Sequence, residues 1–162
     1  MVTVVVEAGS DEHALAEALA ALVPAVSDGF LREALIADPL ASPGVGLIAD
    51  ALGCTIVTAA PRQVYGRAKC EWVLTLAPGV RLEPDWHFEA RAFIDRAQRR
   101  PGREVAAAFA DASASGRARA FFRAMSARFG GEQRALLARR EVLVAGRKVR
   151  IERLRARAYG NP

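Results

Sequence analysis

Arg32-Glu33-Ala34-Leu35-Ile36-Ala37-Asp38-Pro39-Leu40-Ala41-Ser42-Pro43-Gly44 is the stretch on which the fold turns. An Asp28-Gly29 turn leads into it, and Glu33–Ala37 reads as a strand. Ser42-Pro43-Gly44 then reads as an N-cap with a proline in the first helical turn. The helix runs to Leu52, stops at Gly53 and gives way to a strand over Cys54–Thr58. A strand, a tight loop, a helix and another strand in such short order make a right-handed crossover between parallel strands.

Reading outward toward the amino end, Val2–Val6 is an apolar, β-branched run, the signature of a buried parallel strand. Ser10 offers the N-cap of the next helix, with Asp11 and Glu12 in its first turn, where the dipole favours negative charge. Leu15, Leu19 and Leu22 share one face of that helix, and Pro24 is expected to end it. Toward the carboxyl end, a polar segment around Arg62–Lys69 precedes an apolar strand, Trp72–Leu76. Glu83-Pro84-Asp85 starts a helix with Trp86, Ala90, Phe93 and Ala97 on one side, broken by Arg99-Arg100-Pro101-Gly102. Val105–Phe109 is a strand, and Ala118, Phe122, Met125 and Phe129 line a further helix. Ala135–Ala138 reads as a strand entering a short helix that stops at Gly146. Lys148–Ala158 fits a strand or a helix. Alternating strands and helices of this kind predict an α/β three-layer sandwich around a mostly parallel central sheet. The whole chain, 1–162, reads as a single domain with a basic C-terminal segment, 147–162.

Composition agrees: 52% hydrophobic and 25% charged residues are globular values. The start has no basic region before its apolar run, so it is not read as a signal peptide. No stretch reaches the ~20 apolar residues of a membrane span. Cys54 and Cys70 have no metal or redox spacing and are expected as buried or partly buried thiols in a reducing cytoplasm. His13 and His87 lack partners at ligand spacing and are expected at the surface. No serine stands in a nucleophile context, and Gly44-Val45-Gly46 lacks the rest of a phosphate loop.

The opening Val2-Thr3-Val4-Val5-Val6-Glu7-Ala8-Gly9-Ser10-Asp11-Glu12 resembles the first strand of family 2 glycosyltransferases, Val-Val-Ile-Pro-Ala-x-Asn-Glu-Glu. Residues 32–44 lie without gaps on that family's Arg-Glu-Val-Ile-Val-x-Asp-Gly-Gly-Ser-Thr-Asp-Gly, and residues 48–57 are similar to its next helix and strand. Glu71-Trp72-Val73-Leu74-Thr75-Leu76-Ala77-Pro78-Gly79-Val80-Arg81-Leu82 is similar to Asp-Trp-Leu-Leu-Phe-Leu-His-Ala-Asp-Thr-Arg-Leu. Residues 131–143 resemble Gly-Asp-Gln-Gly-Leu-Phe-Val-Arg-Arg-Glu-Val-Phe, with one insertion. The resemblance covers about residues 1–145 and implies the GT-A fold and a nucleotide-sugar donor.

By that resemblance, Asp38 takes the place of the aspartate that contacts the nucleotide base, against the plain reading of a loop-capping carboxylate. Glu7 stands where the family has proline, at a strand end beside the crevice. Arg62 and Lys69 flank that crevice in this reading, where cations can meet phosphates, against the favoured plain reading of solvated surface charge. The family's acidic DxD motif, which holds Mg²⁺ or Mn²⁺, is replaced by Ala77, Pro78 and Gly79, which bear no ligand; the resemblance thus implies no metal cofactor. Asp85 lies too far along to stand in. The family's later Glu-Asp pair, its general base, has no counterpart; Glu152 is the sole acid after Gly146 and is expected as an ion-pair partner. No catalytic residue is assigned.

Charge is uneven: residues 132–162 carry a balance of +6 and residues 1–131 a balance of −1. Arg147, Lys148, Arg150, Arg153, Arg155 and Arg157 suit an anionic membrane surface or acidic partner, the plain alternative being a solvated basic edge. With only Tyr159 for stacking, nucleic acid is disfavoured. Three functions follow. The first is a degenerate glycosyltransferase-like protein without metal-dependent transfer that keeps nucleotide or partner binding. The second is a metal-independent transferase using Arg62, Lys69 or the basic segment. The third is a non-enzymatic module, cytoplasmic and peripheral to the inner face of the membrane.

Overall fold

A computed structural model describes residues 1–99, 105–111, 134–146 and 149–160. Strand β1 (Val2–Glu7) is followed by helices α1 (Glu12–Ala20) and α2 (Val23–Ser27), then β2 (Leu31–Ala37), α3 (Pro43–Leu52), β3 (Thr55–Val57) and α4 (Pro61–Tyr65). Strands β4 (Trp72–Leu76) and β5 (Val80–Leu82) lead to α5 (Trp86–Gln98). The described chain closes with β6 (Val105–Asp111), β7 (Ala135–Arg139), α6 (Arg140–Ala145) and β8 (Arg150–Gly160). The helix expected through Ala118 and Phe129 lies outside the described residues, as do Arg147 and Lys148.

All eight strands join one sheet in the order β3-β2-β1-β4-β7-β6-β8-β5. β3, β2, β1 and β4 are parallel; β7 runs against β4 and β6, β8 is parallel to β6, and β5 is antiparallel to β8. The sheet is mostly parallel, as expected. Alternation along β1 sends Val2, Val4 and Val6 into a large core with Leu15 and Leu19 of α1, Val45 and Ala49 of α3, and Trp86 and Phe93 of α5. Val5 joins a smaller cluster on the other face with Leu35, Val57, Val73 and Val64 of α4, against which Leu143 of α6 packs. Helices therefore cover both faces.

Several local readings are corrected. Asp11, not Ser10, caps α1: its Oδ1 accepts the Ala14 amide at 3.0 Å. Pro24 does not end α1, which stops at Ala20; it sits in the first turn of α2, where a missing N–H costs nothing. Gly53 and Gly146 do close their helices, at φ +66° and +62°. His87 is buried, and its Nε2 lies 2.8 Å from Asp28 Oδ2. An ionised carboxylate only accepts, so Nε2 bears the hydrogen. His13 is exposed, 3.5 Å from Glu17. The ambiguous Lys148–Ala158 segment is a strand from Arg150, and β5 went unforeseen. Cys54 and Cys70 are free and half-buried. No described helix is long and apolar enough to cross a membrane.

Candidate functional site at the carboxyl edge of the parallel strands

β1, β2 and β4 end side by side, with Glu7 opposite Ala37 and Val6 opposite Leu76. Open α/β sheets take their ligands in a crevice beside the loops that leave such ends. The loop after β2 is built on Asp38. Its carboxylate, 2% exposed, accepts the Leu40 amide at Oδ1 (3.1 Å) and the Ser42 amide at Oδ2 (2.6 Å), and the Ser42 hydroxyl lies 3.5 Å from Oδ1. These charge-assisted bonds hold a turn in which Ala41 sits at φ +52°, a conformation that disfavours a side chain. Both carboxylate oxygens of Asp38 thus serve its own loop.

The loop after β1 is tied down by a second acid. Glu12, in the first turn of α1, lays its carboxylate on Gly44 at the start of α3, so closely that a Cβ there would overlap it. Negative charge is favoured at that helix end. Glycine at 44 is required for this approach, which joins α1 to α3.

The third loop is Ala77-Pro78-Gly79, a tight turn in which the Val80 amide donates to the Ala77 carbonyl (3.2 Å) and Gly79 adopts φ +67°. The Ala77 amide donates to the Arg134 carbonyl at 2.8 Å, which anchors the turn to the start of β7. The Pro78 ring lies against Gly9, where an added Cβ would stand 2.8 Å from Pro78 Cβ. The loops after β1 and β4 are therefore in contact. Nearby acids are engaged elsewhere: Asp11 caps α1, Glu12 covers Gly44 and Asp38 holds its turn. Among the described residues no three Asp, Glu, His or Cys side chains gather as metal ligands. Ala77, Pro78 and Gly79 themselves bear no side-chain oxygen of the kind Mg²⁺ or Mn²⁺ takes.

The remaining expected residues separate. Glu7 is half-buried at the end of β1. Arg62 lies in α4, which starts just beyond the end of β3, and its guanidinium rests on Gly146: a Cβ there would come within 2.6 Å of Nη2. That glycine closes α6, whose carboxyl end carries partial negative charge that a guanidinium complements. Arg62 thus joins α4 to the end of α6.

Lys69 is placed differently. It precedes β4, so it lies at the amino edge of the parallel strands, at the far end from Asp38. There its amide donates to Glu33 Oε1 at 2.6 Å and its Nζ lies 3.3 Å from Oε2. The Thr3 hydroxyl also donates to Glu33 (2.8 Å) and accepts the Cys70 amide (3.2 Å). Burial works to raise the Glu33 carboxyl, but the Lys69 amide, the Thr3 hydroxyl and the Lys69 ammonium outweigh it and hold it below its ordinary range. The correction was available from topology: the residue before a parallel strand stands at the edge opposite the crevice. Gly9 and Glu12 escaped notice because neither type signals contact with a distant loop.

A scan against protein-family models gives no match, and neither does a search of curated proteins. Solved structures do resemble the chain. Glucosyl-3-phosphoglycerate synthase from Mycobacterium tuberculosis, crystallised with Mn²⁺, uridine diphosphate and phosphoglyceric acid, superposes with a TM-score of 0.59 at 16% identity. The match covers 88% of this chain and 56% of that one. Mannosyl-3-phosphoglycerate synthase from Rubrobacter xylanophilus gives 0.61 at 13% identity, covering 88% and 54%. The fold is that of the GT-A glycosyltransferases. The chain spans little more than half the length of these GT-A structures, and at such identities the likeness speaks for the fold alone.

Proposed function

We propose that this chain is a GT-A domain without metal-dependent sugar transfer, which keeps its crevice for binding a nucleotide or nucleotide-sugar. The observation that carries this reading is Pro78 seated on Gly9. A departing nucleoside diphosphate needs compensating positive charge, and a divalent cation supplies it only where carboxylates hold the ion. At the position of the acidic motif this chain has a methyl group, a pyrrolidine ring and a glycine, and the ring fills space between the two loops. The structural neighbours with bound uridine diphosphate support the nucleotide half of the proposal.

The test is an assay of hydrolysis and transfer with UDP-glucose and GDP-mannose, with Mn²⁺ and with chelator, alongside calorimetry with UDP. The proposal expects no turnover above buffer and UDP binding of equal affinity in both conditions. Turnover that requires Mn²⁺ overturns it.

A metal-independent transferase is the second reading, and Arg62 favours it. Its guanidinium lies near the start of α4, just beyond the end of β3, with no carboxylate partner among the described residues. Turnover insensitive to chelator and lost in Arg62→Ala would select this reading over the first.

A further inference from the structure

The helices of this fold differ in what they show to solvent. α1 exposes Glu12 and His13, and α5 exposes Arg91, Asp95 and Arg96, as helices beside water do. α3 does not follow them. It buries Val45 and Ala49 and turns Pro43, Leu47 and Ala51 outward as one ridge, with Leu47 76% exposed. In the loop before it Leu40 is 84% exposed, and Leu52 at its end is also open. β3 continues in the same character with exposed Thr55 and half-buried Ile56.

Across residues 39–61 only Val45, Ala49 and Val57 are buried, yet Asp50 is the single charged residue. No lysine or arginine lies between Arg32 and Arg62. A surface that stays in water is about 25–35% charged, so a face of this size ordinarily carries several charges. Contiguous uncharged surface with protruding leucines marks contact with another molecule. The face stands where the described sheet ends at β3. Asp111 in β6 and Arg134 just before β7, the residues that flank 112–133, lie five and four strand places away.

We propose that this face joins two copies of the chain about a two-fold axis, α3 against α3. Charge selects the occupant. The chain carries a net +5, and the arginines of β8 lie six strand places from β3. At ~4.8 Å per strand that is roughly 29 Å along the sheet in each copy. Two copies joined at the β3 end thus hold their basic strands far beyond the ~8 Å over which salt screens charge, whereas contact through the other end would bring the arginines together. An anionic membrane finds no cation on this stretch, and a strongly charged partner finds nothing to pair with. The shape also suits itself. A Cβ at Gly46 would meet nothing within 4 Å, so a dent lies beside the Leu47 ridge. An antiparallel α3 pair sets each Leu47 over Gly46 of the second copy. Residues 39–61 approach the ~20–30 residues that one side of a standard interface uses.

The test is sedimentation equilibrium of the full chain over a range of protein and salt concentrations. A dimer is expected that holds or tightens as salt rises, because the contact is uncharged and screening removes the repulsion between two positive copies. Leu47→Glu and Leu47→Lys should each weaken it roughly tenfold or more, with the circular dichroism of wild type, since that side chain is already exposed. Mixing the two variants in equal amounts should restore association, because a two-fold axis near Leu47 brings the opposite charges together. Arg155→Glu, toward the far end of the sheet, should not weaken the dimer. Four results overturn the proposal: a monomer at every concentration up to about 1 mM, a dimer indifferent to both Leu47 variants, mixed variants that stay apart, or a monomer that binds phosphatidylserine vesicles through Leu47.

Discussion

β1 to β4 and β5 to β8 share one sheet but are stabilised differently. In the first group the strands carry their own core: Val2, Val4, Val6, Ile36, Leu74 and Leu76 are buried on one face, and Val5, Leu35 and Val73 on the other. In the second, β6 offers mainly alanines and β8 alternates arginine with smaller residues; Val80, Leu82, Phe109, Leu137 and Leu154 join the core, and helix side chains add volume beside them. Trp86 and Phe93 of α5 do this, and Phe93 meets Trp72 of β4 edge to face at 5.7 Å. The difference teaches that α5 is the joint through which the weaker half leans on the stronger.

Phe93→Ala is the largest way to break that picture. It removes a fully buried ring at the joint and should cost about 3–5 kcal/mol, read as a lower urea midpoint. Both halves should unfold in one transition. A biphasic curve, with part of the helical signal lost first, would show that the halves are stable apart.

Asp38→Ala comes next. Two amides and a hydroxyl would lose their acceptor in a buried turn, and hydrogen bonds to a charged group carry about 1.5–3 kcal/mol each. A loss of about 3 kcal/mol is expected, with or without nucleotide present. A variant of unchanged stability that merely binds UDP less well would return Asp38 to the role of base contact.

The contrast also explains what the sequence revealed. The first half was legible because β-branched runs alternate with helices capped by Pro43 and Gly53, each a local signal with one physical reading. β8 stayed ambiguous because its arginines face solvent on one side and its alanines fit either a strand or a helix. β5 has three residues, too few to show a period. Within the site, the absence of carboxylates from residues 77–79 could be read directly from residue types. Pro78 on Gly9 and Glu12 on Gly44 could not, since both join loops far apart in sequence. His87 was misread for the same reason, because Asp28 lies 59 positions away.

The amino edge sharpens the comparison through pH. Glu33→Gln should remove about 1–2 kcal/mol at neutral pH, since the amide keeps an acceptor but loses the charge that Lys69 and its amide favour. A carboxyl whose folded value is depressed stabilises fully above its ordinary value of 4.5, and that contribution is lost as pH falls through the lowered folded value. Wild type should therefore lose stability relative to the variant on acidification, and the two urea midpoints should converge below that window. Parallel curves across the range would mean that Glu33 has the same affinity for protons folded and unfolded.

The smallest effect separates two cations once expected to act together. Lys69→Ala removes an ammonium whose side chain is 76% exposed, and a solvent-screened pair of this kind changes stability by about 0.5 kcal/mol or less. Because Lys69 sits at the edge opposite the crevice, UDP affinity measured by calorimetry should not move. Arg62→Ala is expected to be as mild for folding, since it removes only the contact over Gly146, yet under the proposed metal-independent reading it should weaken UDP binding several-fold as a guanidinium is lost from the diphosphate. Equal effects of the two substitutions on UDP would place the nucleotide elsewhere than at the carboxyl edge, and a loss with Lys69→Ala alone would move it to the opposite end of the strands.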